Sequence, residues 1–106
     1  MSVVVVATVH PEPDLRPQVI ALLEQTIARV HTEAGCELYA LHEGGDGRLV
    51  MVEKWASREA LDAHLGQPAF AEMGRQLRPM CRQPTDVQVL TPHPAGTDRQ
   101  GTLLTG

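Results

Sequence analysis

The segment from Arg48 to Leu65, which reads RLVMVEKWASREALDAHL, restricts the possible folds more than any other part of the chain. Its first half is rich in Val, Leu and Met, which predicts a β-strand that ends at Trp55. Ser57 is a favourable N-cap residue, and an acidic residue follows in the first turn, so a helix is expected to begin directly after it. The segment therefore predicts a strand that runs straight into a helix.

Two polar side chains interrupt the apolar faces of this strand and helix. Side chains alternate along a strand, so Glu53 shares a face with Met51 and Trp55. Along the helix, His64 lies three residues after Leu61 and therefore on the same apolar side. We expect Glu53 and His64 to be the first candidates for function.

The other segments complete an α+β pattern. The expected elements are a strand Val3–His10, a helix capped by Asp14 that ends before Gly35, a strand Cys36–Glu43, the central strand and helix, a helix that begins at Pro68, and a final strand Asp86–Thr91. This order predicts the ferredoxin-like, split β-α-β fold, with a four-stranded antiparallel sheet and the helices on one face. Residues 1–91 would form this domain, and residues 92–106, rich in Pro, Gly and Thr, would form a C-terminal tail.

The strands are too apolar for a sheet with one face in water. The first strand is apolar on both sides, and Val50 and Val52 lie opposite Leu49 and Met51 on the third. Helices on one face cannot cover both sides of the sheet. A second copy of the chain packed on the open face would, so the pattern predicts a homodimer.

Composition and spacing argue against several other classes of protein. The 106 residues carry a net charge of −4 and no cluster of Lys and Arg, which disfavours nucleic acid as a partner. The apolar run Val3–Ala7 is too short for a membrane span or a signal peptide, so we expect a cytoplasmic protein without a membrane partner. Cys36 and Cys81 form no CxxC pair, and no HxxxH or HExxH spacing predicts a metal site.

Two segments resemble a known family. The run EAGCELYALHE, with Tyr39, and the run VEKWASREALDAHLGQPAF, with Trp55, His64 and Phe70, resemble the antibiotic biosynthesis monooxygenase family. The resemblance extends over roughly Val3–Leu90 and implies a small dimeric α+β barrel protein. It also implies a cofactor-independent monooxygenase that oxidises a phenolic, quinol or polycyclic aromatic small molecule with O2. The deprotonated substrate would supply the electrons, with no flavin, metal or heme.

The resemblance also suggests roles for individual residues. His64 would act as a base or hydrogen-bond donor, Trp55 would donate from its indole N–H, and Arg75 would stabilise an oxyanion. Glu53 would serve as a base if it is buried and unpaired. The predicted substrate-binding residues are Met51, which stands where some oxygenases of the family have an asparagine, together with Tyr39, Phe70 and Met73.

Less specific interpretations remain open for these residues. His64 could be a hydrogen-bonded core histidine, and Glu53 could be a strand carboxylate paired with an arginine. The chain could also be an isomerase or proton-transfer enzyme that acts on a small hydroxy-carbonyl compound, or a non-catalytic dimer that binds a small molecule. An oxygenase requires a deep apolar cavity, an isomerase a small polar cavity with two titratable groups, and a scaffold needs no cavity at all.

Overall fold

The computed structural model describes residues 1–103, in which four strands form one antiparallel sheet. The strands are β1 (Val3–Pro11), β2 (Cys36–Glu43), β3 (Leu49–Trp55) and β4 (Cys81–Leu90), and the helices are α1 (Arg16–Val30), α2 (Arg58–Leu65), α3 (Pro68–Leu77) and the short α4 (Asp98–Gly101). Single turns of 3-10 helix precede α1 and follow α3. The strands lie in the order β2-β3-β1-β4. This is the predicted ferredoxin-like arrangement, so the α+β fold is confirmed.

The strand β3 and the helix α2 form as predicted. The Ser57 side chain accepts a hydrogen bond from the backbone N–H of Ala60 at 3.1 Å, which caps α2. In the hairpin turn that precedes this strand, Gly47 has a φ of +89°, a backbone conformation that residues other than glycine rarely adopt. Pro68 occupies the first turn of α3, where its missing N–H costs little.

Two predicted boundaries are wrong. Asp14 lies within the 3-10 turn that precedes α1, and no side chain caps α1 at its first residue, Arg16. The last strand begins at Cys81, five residues earlier than predicted, and its pairing with β1 shifts register between Thr8 and Pro11. These irregularities give Pro84 a place in an edge strand, where its missing N–H breaks no ladder.

The two faces of the sheet differ in how well this chain covers them. On the helix side, buried apolar side chains from strands and helices form two clusters, one around Trp55 and the other around Leu49 and Val19. On the opposite side, the apolar side chains remain only half-buried, among them Val4, Val6, Val50 and Val52. The helices therefore cover one face, as predicted, and leave an apolar face open.

The C-terminal segment returns to the open face of the sheet. After β4 the chain forms α4, and the Lys54 ammonium donates to the backbone carbonyl of Leu103 at 2.6 Å. The division into residues 1–91 and a tail at 92–106 stays a prediction, and the last three residues of that tail lie outside the described part. Among the described residues, no helix is both long and apolar enough to cross a membrane.

Candidate active site

A cavity of about 450 Å³ lies between the sheet and the helices α2 and α3. Val5 and Met51 from the central strands line one wall, and Leu61, Phe70 and Met73 from the two helices line the other. The volume lies within the range of small-molecule sites, and most of the lining is apolar.

The two polar side chains that interrupt the apolar faces meet in this cavity. Glu53 from β3 and His64 from α2 both line it, although their side chains are almost inaccessible from bulk water, at 5% and 2% exposure. The strand alternation and the helical period each turn one of these residues inward. Packing of α2 across the sheet then brings them into the same space.

His64 is held by a carboxylate that the sequence analysis did not identify. Its Nδ1 lies 2.8 Å from Glu33 Oε1, and Glu33 belongs to the loop between α1 and β2. A carboxylate only accepts, so Nδ1–H donates to Glu33 and Nε2 is left as the acceptor of the ring. Within residues 1–103, every fully buried side-chain nitrogen or oxygen has a partner, and none is found for Nε2. This nitrogen therefore remains accessible from the cavity.

All three aromatic side chains of the protein surround this imidazole. The chain contains one Trp, one Tyr and one Phe. Trp55 stacks on His64 with ring centroids 4.6 Å apart, and Tyr39 and Phe70 approach it edge-on at 5.6 and 5.1 Å. Together with the Glu33 hydrogen bond, these contacts fix both the plane and the tautomer of the ring.

Glu53 has a different environment. Its Oε1 accepts a hydrogen bond from the indole N–H of Trp55 at 3.0 Å, and no arginine pairs with it among the described residues. Burial raises the pKa of Glu53 from its ordinary 4.5 to about 7, although the Trp55 hydrogen bond opposes this shift. The carboxyl group can therefore exchange a proton near neutral pH. The indole N–H of Trp55 therefore donates its hydrogen bond to Glu53. The sequence analysis had expected this N–H to donate to a substrate.

Tyr39 adds a hydroxyl to the same end of the cavity. Burial raises the pKa of this phenol strongly, and the nearby charges of Glu53 and Glu33 raise it further. Tyr39 lines the cavity, and its side chain is 5% exposed. The hydroxyl thus stays protonated and available as a hydrogen-bond donor.

The predicted site residues divide into those that reach the cavity and those that do not. Met51, Tyr39, Phe70 and Met73 all line it, as do Glu53 and His64, while Trp55 is fully buried behind His64. Their roles in binding or catalysis stay predictions.

Arg75 lies outside the cavity, contrary to expectation. Its side chain is 64% exposed and pairs with Glu72 on the surface of α3. Two residues correspond to about 200° of rotation around a helix, so when Met73 faces the cavity Arg75 faces away. Arg78 and Arg82, both exposed to solvent, are among the residues at the rim of the cavity.

The loop that carries Glu33 reaches α2 because of a glycine. Gly35 has a φ of +83°, and a Cβ at this position would lie only 2.5 Å from the Cβ of Ala60. The close approach lets Glu33 bond to a histidine 31 residues away. No local pattern around Glu33 distinguishes it from a surface acid. Among residues 1–103, no three His, Cys, Asp or Glu side chains are grouped so as to hold a metal ion.

Comparisons with known proteins agree with this architecture. Residues 2–76 match the family model described as Antibiotic biosynthesis monooxygenase. The chain is 40% identical over 91 residues to a Mycobacterium tuberculosis protein named "Putative monooxygenase Rv0793", which covers 85% of this chain and 90% of the relative. The solved structure of Rv0793 superposes with a TM-score of 0.85 at 37% identity, over 92% of this chain and all of the other. The crystal structure of SO0527 from Shewanella oneidensis gives a TM-score of 0.78 at 27% identity, over 84% and 88% of the two chains.

Proposed function

Since the chain belongs to the antibiotic biosynthesis monooxygenase family, we propose that it oxidises a phenolic, quinol or polycyclic aromatic small molecule with O2. The observation that carries the proposal is His64, which Glu33 fixes on one side and whose other nitrogen faces a cavity of about 450 Å³. A base at the wall of an apolar cavity is what deprotonation of a phenol requires.

In this mechanism His64 starts the reaction. Its Nε2 takes the proton from the substrate hydroxyl, and the Glu33 carboxylate stabilises the imidazolium that forms. The resulting phenolate is electron-rich and transfers electrons to O2, so the substrate itself is the reductant. The apolar walls keep water away from the charged intermediate, and Tyr39, which lines the cavity, donates a hydrogen bond from its hydroxyl to an oxygen atom of the substrate.

The electron balance is clearest for a hydroxylated anthrone. The ring CH2 loses one proton to the base, and the carbanion forms a C–O bond with O2 to give a hydroperoxide. Loss of the second hydrogen of that carbon, with cleavage of the O–O bond, releases water and leaves the quinone. One O2 is thus consumed for each quinone and each water produced. Glu53, whose pKa lies near neutrality, is the group that protonates the leaving oxygen.

The same proposal includes a homodimer formed through the open face of the sheet. The half-buried side chains of Val4, Val6, Val50 and Val52 form an apolar surface that the helices of this chain do not cover. A second copy packed there would bury it, and the cavity on the helix side of each sheet would remain open.

The test is oxygen uptake and quinone formation with a panel of hydroxylated anthrones and quinols. We expect His64→Gln to lower kcat/KM by about 10²–10⁴-fold, the usual contribution of a general base. Glu33→Gln should lower it less, because the imidazole remains but loses its negatively charged partner. The matched control is His93→Gln, which changes an exposed histidine that does not line this cavity. Circular dichroism of each variant checks that the fold is retained.

A second candidate is supported by one observation, since Glu53 and His64 are two titratable groups in a single cavity. Such a pair could move a proton in a small hydroxy-carbonyl compound without O2. Solvent deuterium exchange into 2-hydroxyketones under argon, followed by NMR, measures this activity directly. If exchange depends on His64 and no quinol is oxidised by the protein, the monooxygenase proposal is wrong.

A further inference from the structure

Trp55 contacts both of the titratable residues that meet in the cavity. Its indole N–H donates to Glu53 Oε1 at 3.0 Å, and this hydrogen bond is buried. Its ring stacks on His64, with the ring centroids 4.6 Å apart and the planes inclined by 29°. Trp55 itself is 0% exposed and does not line the cavity. Its influence on a ligand in the cavity therefore passes through Glu53 and His64.

The indole hydrogen bond decides which oxygen of Glu53 carries the proton of the neutral acid. An oxygen that accepts from an N–H acts as the carbonyl oxygen of the carboxyl group, so the O–H lies on Oε2. Within residues 1–103, every fully buried side-chain nitrogen or oxygen has a hydrogen-bond partner, and none is found for Oε2. Oε2 is therefore not sealed off by the protein, and the space that Glu53 lines is the cavity. The proton of the neutral acid thus lies on the oxygen that is open to a ligand.

Other titratable groups face Glu53 from β2, from α2 and from the loop before β2. They are Cys36, Tyr39, His64 and Glu33. Burial raises the pKa of the Cys36 thiol and that of the Tyr39 phenol, so both stay neutral at physiological pH. On β1 the residue opposite Glu53 is Val5, which does not titrate. Among the described residues, the indole N–H is the one hydrogen-bond donor that contacts the Glu53 carboxyl group.

We propose that Trp55 is the positioning residue of the acid in this cavity: it holds Oε1 of Glu53, so that the proton lies on Oε2, while its ring holds His64. Trp55 thus does for Glu53 what Glu33 does for His64, since each buried partner fixes where one proton lies. Because one indole contacts both groups, a single side chain fixes the acid relative to the base. The proposal rests on the proposed function only for the use of this proton in the reaction. The position of the proton is a property of the resting protein.

The first measurement follows the indole N–H by proton–nitrogen NMR of the isotope-labelled full chain. The protein has one tryptophan, so this N–H gives a single indole resonance. We expect the resonance to shift with a midpoint at about pH 7, because ionisation of Glu53 strengthens the hydrogen bond that it accepts. The shift should persist in His64→Gln. It should disappear in Glu53→Gln, whose amide oxygen accepts from the indole but does not titrate.

The second measurement uses Trp55→Phe, which keeps an aromatic ring beside His64 and removes the N–H. The titration of Glu53 is followed by carbon NMR of labelled carboxyl groups, with Glu53→Gln for assignment. The lost donor favours the ionised carboxylate, so we expect its removal to lower the ionisation constant of Glu53 about tenfold or more, which raises the pKa. The high-pH limb of kcat/KM for an oxidised quinol should move in the same direction.

The matched control is Val19→Ala, which removes buried atoms from the core cluster around Leu49 and does not change the cavity lining. It destabilises the fold without touching Glu53 or Trp55, so the titration of Glu53 should stay where it is in the wild-type protein. A change of the Glu53 titration in Trp55→Phe alone therefore separates a positioning role from a loss of packing.

Three outcomes would overturn the proposal. They are an indole resonance of the wild-type protein that does not respond to pH, a response that survives in Glu53→Gln, and an unchanged Glu53 titration in folded Trp55→Phe. If Trp55→Phe does not fold, the indole titration of the wild-type protein decides the matter alone. These titrations need no substrate and are separable from the oxidation assay. A Glu53 titration that the indole reports, with no quinol oxidised, would reject the monooxygenase proposal and keep the positioning role of Trp55.

Discussion

The carboxyl group of Glu53 makes the stability of this protein depend on pH in an unusual direction. An exposed glutamate ionises near pH 4.5, and burial raises the pKa of Glu53 in the folded protein to about 7. Between these two values the unfolded chain has released the proton and the folded chain still holds it. Stability must therefore fall as the pH rises through this window, which is the opposite of a salt-bridged carboxylate.

The size of the effect follows from the shift. Near pH 5 the carboxyl group is protonated in the folded protein and mostly ionised in the unfolded chain, but the penalty is still below about 1 kcal/mol because this pH lies only just above the unfolded pKa. Near pH 8 the penalty approaches about 3.3 kcal/mol, since each pKa unit is worth about 1.36 kcal/mol. Glu53 therefore removes about 2.5 kcal/mol of stability between these conditions. Replacement by glutamine keeps an oxygen that can accept from the Trp55 indole and removes the titration.

The assay is urea unfolding of the wild-type protein and the Glu53→Gln variant, followed by tryptophan fluorescence, at one protein concentration. The difference in unfolding free energy between the variant and the wild type is measured near pH 5 and near pH 8. Groups that titrate equally in both proteins cancel from this difference. We expect the variant to gain about 2.5 kcal/mol relative to the wild type on going to the higher pH. The slopes of the transitions must remain equal for this comparison to hold.

If the difference in unfolding free energy between the variant and the wild type is the same at both pH values, the reasoning is refuted. It would mean that Glu53 ionises in the folded protein about as easily as in the unfolded chain. The carboxyl group would then be solvated or compensated, and it could not hold a proton at neutral pH for the reaction proposed above.

Two further predictions concern the loop that carries Glu33 and the open face of the sheet. Gly35→Ala should cost roughly 1–3 kcal/mol in chemical unfolding, because φ is +83° and the new Cβ would lie 2.5 Å from that of Ala60. Gly45→Ala, whose added methyl group meets no atom within 4 Å, should stay within about 0.5 kcal/mol, and an equal loss in both variants would contradict this explanation. Static light scattering of the purified protein should give the mass of two chains, and the mass of one chain would reject the proposed dimer.

Much of the fold could be predicted because the spacing of apolar residues within each segment indicates whether it forms a strand or a helix. Alternation along β3 placed Glu53 and Trp55 on one face, and the helical period of α2 placed His64 beside Leu61; all four side chains are buried on the helix side. The same reasoning failed for β4. Pro84 and the register shifts hide the beginning of this strand, because the alternation that reveals a strand breaks where extra residues interrupt the pairing.

The sequence by itself determined the order of strands and helices and the two polar residues that turn inward. The tertiary structure decided which groups these residues contact: His64 bonds to Glu33, and Glu53 accepts from the indole of Trp55. It also decided that Arg75 faces outward and pairs with Glu72. The physical reason is that periodicity relates side chains within one element, whereas a contact between elements depends on how loops and packing place them. For Glu33 and His64, that placement depends on a turn at Gly35 that brings a loop within contact of α2.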